Sequence, residues 1–305
     1  MLCKKPYFIH NMPFGCSQCT PCRLNRRRLW THRLLLESFK HSESSFVTLT
    51  YAPEFLPEGN TLVPEDPKNW LKRLRFLVAP IRLRYFLVGE YGDETERPHY
   101  HVALFGLGEI GKELMAKAWR DPKTKKSLGH IMVGTLTKDS AQYVAGYVTK
   151  KMTSKEDPRL NGRYPEFARM SLRPGIGALA VDDIQSSLVS KHGLDFIKKN
   201  GDVPGELMVD KKKWPLGRYL KNKLREGFGL VGEIETISGK KKKICEASAR
   251  EVQKYSKEMS LMLKDSRVKE KAAEKPLNKL VYEKNLQKIR NIESNAKIKR
   301  KKGTL

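Results

Sequence analysis

Two short spacings hold the residues able to do chemistry. RPHYHVALFG (97–106) sets His99 and His101 two apart, and YVAGYVTKK (143–151) sets Tyr143 and Tyr147 four apart. On a strand, side chains at i and i+2 share a face, so the two imidazoles are neighbours and Tyr100 points the other way. On a helix, residues at i and i+4 share a face, which stacks the two phenols and puts Lys151 one further turn beyond Tyr147. Two imidazoles and one carboxylate form a facial donor set with open positions. Such a set suits Mn²⁺ or a related divalent ion, and Mg²⁺ in a phosphate-bound state. If strands 84–90 and 99–105 pair around the 91–98 loop, Glu90 lies near the histidines; Glu94 and Glu96 are rivals within the loop. Phenol has an ordinary pKa of about 10, so a tyrosine attacks phosphate at neutral pH only with help. A cation polarising the phosphate and stabilising the transition-state charge is one form of help. Lys150 or Lys151 holding the phosphate, or assisting the leaving oxygen, is another. Each feature also has a plain structural reading: two half-buried histidines, an amphipathic tyrosine stripe, and a Glu90 paired to Arg84 or Arg97. Taken together with a basic surface, they are the parts of a phosphodiester transesterase.

The flanking pattern says which elements must position these groups. LNRRRLWTHRLLLESFK (24–40) reads as an amphipathic basic helix with Leu24, Trp30, Leu34 and Leu35 apolar. SSFVTLTY (44–51) is β-branched and aromatic, hence a strand. After a Pro- and Gly-rich loop, a helix opens at Asp66 or Pro67 and is stopped by Pro80. RYFLVGEY (84–91) and HYHVALFG form an antiparallel hairpin with a longish loop. A short helix (109–120), a strand (130–136) and a helix (138–152) follow. Gly146 costs that last helix about 1 kcal/mol relative to alanine, which points to close packing there. The order gives an α+β fold: an antiparallel sheet with helices packed on one face and the other face open. Beyond 155 the pattern weakens: a basic glycine-containing loop at 169–180, a helix near 181–199, then a strand, a turn and a basic helix over 206–226. The stretch from about 239 is Lys- and Glu-rich and reads as a solvated helix or disordered basic tail.

Charge and cysteines bound the function class. Sixty Lys plus Arg against 34 Asp plus Glu give a formal charge of +26, which argues for a polyanionic partner, nucleic acid before anionic membrane. No apolar run approaches the ~20 residues of a membrane span, and the first residues lack a signal-peptide core. The expectation is a soluble intracellular protein. Four of the five cysteines, Cys3, Cys16, Cys19 and Cys22, fall in the first 22 residues. They offer four thiolates, enough for a structural tetrahedral Zn²⁺; an iron–sulfur cluster and plain reduced thiols are the alternatives. Arg23, Arg26, Arg27 and Arg28, with Arg173 further on, are candidate DNA contacts. The lysine runs at 211–213, 240–243 and 297–302 would add salt-sensitive binding.

The residues also carry a family resemblance. HYH resembles the His-hydrophobe-His motif of HUH endonucleases, the rolling-circle initiators and relaxases. FVTLTY (46–51) resembles their first motif, and YVAGYVTKK their two-tyrosine motif. GCSQCTPCRLNRRRLW, VGEYG and RMSLRPGIG narrow the resemblance to the replication-associated proteins of gokushovirus-type microviruses. It runs over residues 14–180, with LGRYL (216–220) as a weaker extension. It implies an RRM-like palm and a metal-dependent DNA endonuclease and strand-joining enzyme. Tyr143 and Tyr147 would be nucleophiles, His99 and His101 metal ligands, and Glu90 the third ligand by analogy. The enzyme would nick the origin of the double-stranded replicative form and become joined to the 5′ phosphate. It would leave a 3′ hydroxyl for a polymerase, then close the displaced strand into a circle. The implied place is the cytoplasm of a bacterial host. The implied partners are phage origin DNA, a host helicase (there is no P-loop motif here) and a host polymerase. The lack of a third histidine favours a replication enzyme over a relaxase. A non-catalytic zinc-containing nucleic-acid-binding protein, and an HUH plasmid initiator or transposase, stand as alternatives. The domains expected are 1–40 (cysteine cluster and basic helix), 41–155 (HUH core), 156–238 (basic accessory region) and 239–305 (tail).

Overall fold

Alternation in SSFVTLT makes a strand that buries two faces at once. In the computed structural model, Ser45, Val47 and Leu49 are buried on one side while Phe46 and Thr48 line the other. The structure describes residues 2–9, 12–147, 157–209, 211–235, 241–245 and 277–301. Along the chain run β1 (Tyr7–Ile9), β2 (Met12–Phe14), α1 (Thr20–Ser38), β3 (Ser44–Thr50), α2 (Glu65–Leu77), β4 (Arg84–Tyr91), β5 (Pro98–Phe105), α3 (Lys112–Ala118), β6 (Ile131–Thr135), α4 (Lys138–Tyr147) and β7 (Phe167–Met170). Then come α5 (Val181–Leu188), α6 (Lys191–Asn200), β8 (Glu206–Val209), β9 (Lys212–Pro215), α7 (Gly217–Gly227), β10 (Val231–Glu235), β11 (Lys241–Cys245) and α8 (Leu277–Lys301). They form two compact units, Arg27–Ala180 and Met1–Arg26 with Val181–Leu305.

The unit Arg27–Ala180 is built on a five-stranded antiparallel sheet in the order β6-β3-β5-β4-β7. The α+β antiparallel architecture is therefore the observed one. Its register sets Thr48 and Val88 on either side of His101, and Thr50 and Glu90 on either side of His99. On the opposite face, Val47, Leu49, Tyr100, Val102 and Leu104 pack under α2 (Trp70, Leu71, Leu74) and α3 (Met115, Ala118). Tyr100 is fully buried there, its hydroxyl 2.9 Å from that of Tyr51.

The histidine face is not bare. Leu34 of α1 and Ala141, Val144 and Ala145 of α4 pack on Phe86, Val88, Ala103 and Phe105. These strand residues are apolar and meet apolar side chains, whereas the polar positions Thr48, Glu90, His99 and His101 lie at the far end, where Tyr143 and Tyr147 of α4 cover His101. The stretch read as a loop at 169–180 begins as strand: β7 pairs with β4 through Met170↔Phe86 and Phe167↔Gly89. The helix expected over 138–152 is described as far as Tyr147, and Lys150 and Lys151 lie outside the described residues.

In the other unit, β1 and β2, β8 and β9, and β10 and β11 each form an antiparallel pair. Two helices, α5 and α6, stand where one was expected, broken at Val189 and Ser190, the latter capping α6. Leu216, Leu220 and Leu224 of the α7 region are buried, and Asp202 meets Arg225 at 2.7 Å and Lys221 at 2.7 Å. Within the stretch expected to be a solvated helix or disordered tail, Lys241, Lys242 and Lys243 stand in β11, which pairs with β10, Glu233 in register with Lys243. Among the described residues no helix is long and apolar enough to cross a membrane.

Candidate active site

His99 and His101 come to one side of β5 as their spacing requires, and Glu90 comes from β4 directly across the ladder. Glu90 Oε1 lies 2.8 Å from His99 Nε2 and 3.0 Å from His101 Nε2. Glu90 is 3% and His101 5% exposed, with His99 half-buried at the rim. The outer ring nitrogens are held as well: His99 Nδ1 is 3.1 Å from the Arg97 carbonyl, and His101 Nδ1 is 2.9 Å from Thr48 Oγ1. A carbonyl only accepts, so Nδ1 of His99 carries the proton, a tautomer assigned from its partner. The neutral ring then turns a lone pair toward a carboxylate oxygen. One carboxylate oxygen and two ring nitrogens thus converge on one point. The donor atoms of Glu90, His99 and His101 all lie within 4.8 Å of one another. Their chemistry and their hydrogen-bonded outer nitrogens fit a divalent cation. The loop carboxylates do not share in this group: Glu96 reaches Arg163 at 2.8 Å.

Both tyrosines of α4 face the histidines. The His101 ring lies 5.3 Å from Tyr143, edge-on, and 5.3 Å from Tyr147, stacked within 10°. The two phenol rings are 4.9 Å apart. Tyr143 is 48% exposed, whereas Tyr147 is half-buried. Burial pushes the Tyr147 phenol well above its usual value, and the Glu90 charge and hydrogen bonding with Tyr143 and Glu90 act the same way. Phe46 stacks on His101 at 5.5 Å and meets Tyr143 edge-on at 6.1 Å.

The strands and helix that hold these groups fall within residues 44–152, which match the family described as replication-associated protein ORF2. Over 167 residues the chain is 37% identical to Replication-associated protein VP4 of Bdellovibrio phage phiMH2K, covering 49% of this chain and 52% of that protein. It is 34% identical over 186 residues to Replication-associated protein ORF2 of Spiroplasma virus 4, covering 56% and 57%. With Replication-associated protein ORF4 of Chlamydia phage 1 the identity is 30% over 156 residues, covering 46% and 39%. The chain thus spans about half the length of the first two curated relatives it matches. No solved structure matches it.

Outside residues 44–152 lie most of the basic residues and all the cysteines. Arg26 and Arg28 of α1 and Arg173 are at the surface, and Arg23 reaches Gln18 at 3.5 Å. Arg27 is turned inward: its Nε donates to the Gln142 carbonyl of α4 at 2.9 Å, and burial lowers its pKa while Tyr147 acts in the opposite direction. Gly146 lies beside it, yet a Cβ there would sit 3.5 Å from Arg27 Nε, an ordinary contact, so tight packing does not account for this glycine. The sulfurs of Cys3, Cys16, Cys19 and Cys22 form a second cluster, each within 4.8 Å of the others. Sequence reasoning passed over Thr48, Phe46 and the anchoring role of Arg27. For Thr48 and Phe46 a signal existed: once FVTLTY pairs with the histidine strand, its even positions share the histidine face.

Proposed function

We propose that this protein initiates phage DNA replication by nicking one origin strand and joining itself to it through a tyrosine. What carries the reading is that two phenols one helical turn apart lie equally close to the imidazole that shares Glu90 with a second imidazole. Glu90, His99 and His101 would hold a divalent metal, Mg²⁺ or Mn²⁺. When bound there, the metal supplies Lewis-acid stabilisation of the charge that builds on the scissile phosphate. The tyrosine oxygen attacks phosphorus, the bond to the 3′ oxygen breaks, the phenol gives up one proton and the departing oxygen gains one. Bond energy is retained in the phosphotyrosine, so a later 3′ hydroxyl can reverse the step and close a circle.

Two tyrosines allow this alternation because the second can cut the regenerated origin while the first remains joined to DNA. Arg27 and the α1–sheet packing hold α4, and hence both phenols, at the right distance. Lys150 and Lys151, which follow in that motif, would grip the phosphate. Arg23, Arg26, Arg28 and Arg173 would contact the DNA backbone, and a host helicase and polymerase would open and copy the duplex.

The test is covalent capture. Full-length protein, Mn²⁺ and a labelled single strand bearing the origin should give an adduct that survives a denaturing gel. Tyr143→Phe and Tyr147→Phe should each leave adduct, and the double variant should reduce it to background. Adduct persisting in the double variant overturns the nucleophile assignment. No adduct with any origin-derived strand leaves a protein that only binds nucleic acid.

A further inference from the structure

The cysteine cluster takes no part in that chemistry, and its geometry is specific enough to assign. Cys3 precedes the β1–β2 hairpin, Cys16 and Cys19 lie between that hairpin and α1, and Cys22 sits in the first turn of α1. All four are free thiols, and three are half-buried with Cys3 fully buried. The Cys3 and Cys19 sulfurs are 3.8 Å apart. A tetrahedral Zn²⁺ with Zn–S bonds of about 2.3 Å spaces its sulfurs by about 3.8 Å, whereas a disulfide needs about 2.0 Å. Backbone N–H groups also point at the sulfurs: Cys16 to Cys3 at 3.2 Å, Cys19 to Cys16 at 3.3 Å and Lys4 to Cys19 at 3.5 Å. Donors aimed at sulfur favour thiolate over thiol, the form a metal binds.

We infer that Cys3, Cys16, Cys19 and Cys22 bind one Zn²⁺ as a closed structural site that ties the N-terminal hairpin to the start of α1. Four protein ligands leave no open position, so this zinc does no catalysis. On binding, each thiol still protonated releases its proton to solvent, and the metal keeps its charge throughout. The hairpin has three residues per strand, too short to be stable on its own. A bound metal supplies the missing free energy.

The full-length protein, dialysed against a weak chelator, is assayed for metal by mass spectrometry. The expected content is one zinc per chain. It should survive in the His99→Ala/His101→Ala variant and in Cys245→Ser, and be lost in Cys19→Ser. Because Cys19→Ser is open to the charge of simple unfolding, Cys16→His is the companion variant. It keeps a zinc ligand of another type and should retain the metal. Cobalt substitution should give the visible bands of a tetrahedral thiolate site. Absence of metal from the unmodified protein, iron in place of zinc, or zinc retained in Cys19→Ser overturns the assignment. None of these results bears on adduct formation, so the nicking reading stands or falls separately.

Discussion

Thr48 shows how much of a site can depend on a residue with no chemistry of its own. Its hydroxyl lies 2.9 Å from His101 Nδ1 and fixes the ring so that Nε2 points at Glu90. Losing such an outer partner typically weakens metal binding by about 10- to 100-fold. Thr48→Val keeps the shape and β propensity, so Mn²⁺ affinity measured by titration should fall by that order while the fold stays intact. Adduct formation should recover at saturating metal. Unchanged affinity would show that Thr48 does not orient the ligand. The histidines and tyrosines were legible because each pair declares itself within five residues, through periods of two and about four. Glu90 was legible one step further, through a hairpin whose two strands are neighbours in sequence. Thr48 becomes legible only once β3 is placed beside β5, since its partner lies 53 positions away and the register of the two strands brings them together. Arg27 misleads for a related reason: within RRR nothing local distinguishes the side chain that turns inward to α4 from those that stay in water.

At the scale of elements, Glu37 holds α1 to the sheet. It is fully buried at the end of α1, ion-paired to Arg84 of β4, 3.4 Å from His41, and accepts from the Gly177 N–H at 2.6 Å. Gly177 has φ +82°, and a Cβ there would press on the Arg33 backbone, which gives the RPGIG stretch a physical reason for its second glycine. Burial alone would raise the Glu37 carboxyl, but the His41, Arg84 and Gly177 hydrogen bonds win and hold it below its usual range. A native pKa lower than the unfolded one means the stabilisation is fully present above the ordinary glutamate value of about 4.3 and disappears as pH falls through the lower native value. Glu37→Gln leaves Arg84 facing an uncharged partner and should cost about 3 kcal/mol. In denaturant melts the acid limb of the stability curve should flatten in that variant. An acid limb unchanged by Glu37→Gln would remove this carboxylate from the account. Long, periodic elements such as β4 and β5 were readable. β7 was not: it is four residues on an edge, and its pairing with β4 spans some 80 positions of sequence. The helices on the histidine face were readable as helices, but not that they cover it.

Over the whole molecule, the formal charge of +26 exceeds what one phosphate site can use, and about half of it lies beyond residue 238. The last helix ends on a basic run in which Lys297 and Lys299 are exposed. If this surface holds DNA by its backbone, it does so by releasing counterions. The log of affinity then falls linearly with the log of salt, by about 0.7 per phosphate neutralised on single strands. Deleting the segment would confuse charge with structure, since Ile289 and Ala296 of α8 are buried and Glu293 pairs with Lys4. Changing Lys297, Lys299, Lys301 and Lys302 to Gln removes charge and leaves that packing in place. Binding of origin strand, followed by fluorescence anisotropy across a salt series, should weaken and give a shallower slope, by about 0.7 for each phosphate no longer neutralised. Adduct formation on a short oligonucleotide at saturating concentration should be unchanged, because the tyrosines and their neighbouring imidazoles are untouched. A slope equal to that of the unmodified protein would mean that these lysines do not meet phosphate, and that the affinity resides in the α1 arginines and the surface around the tyrosines.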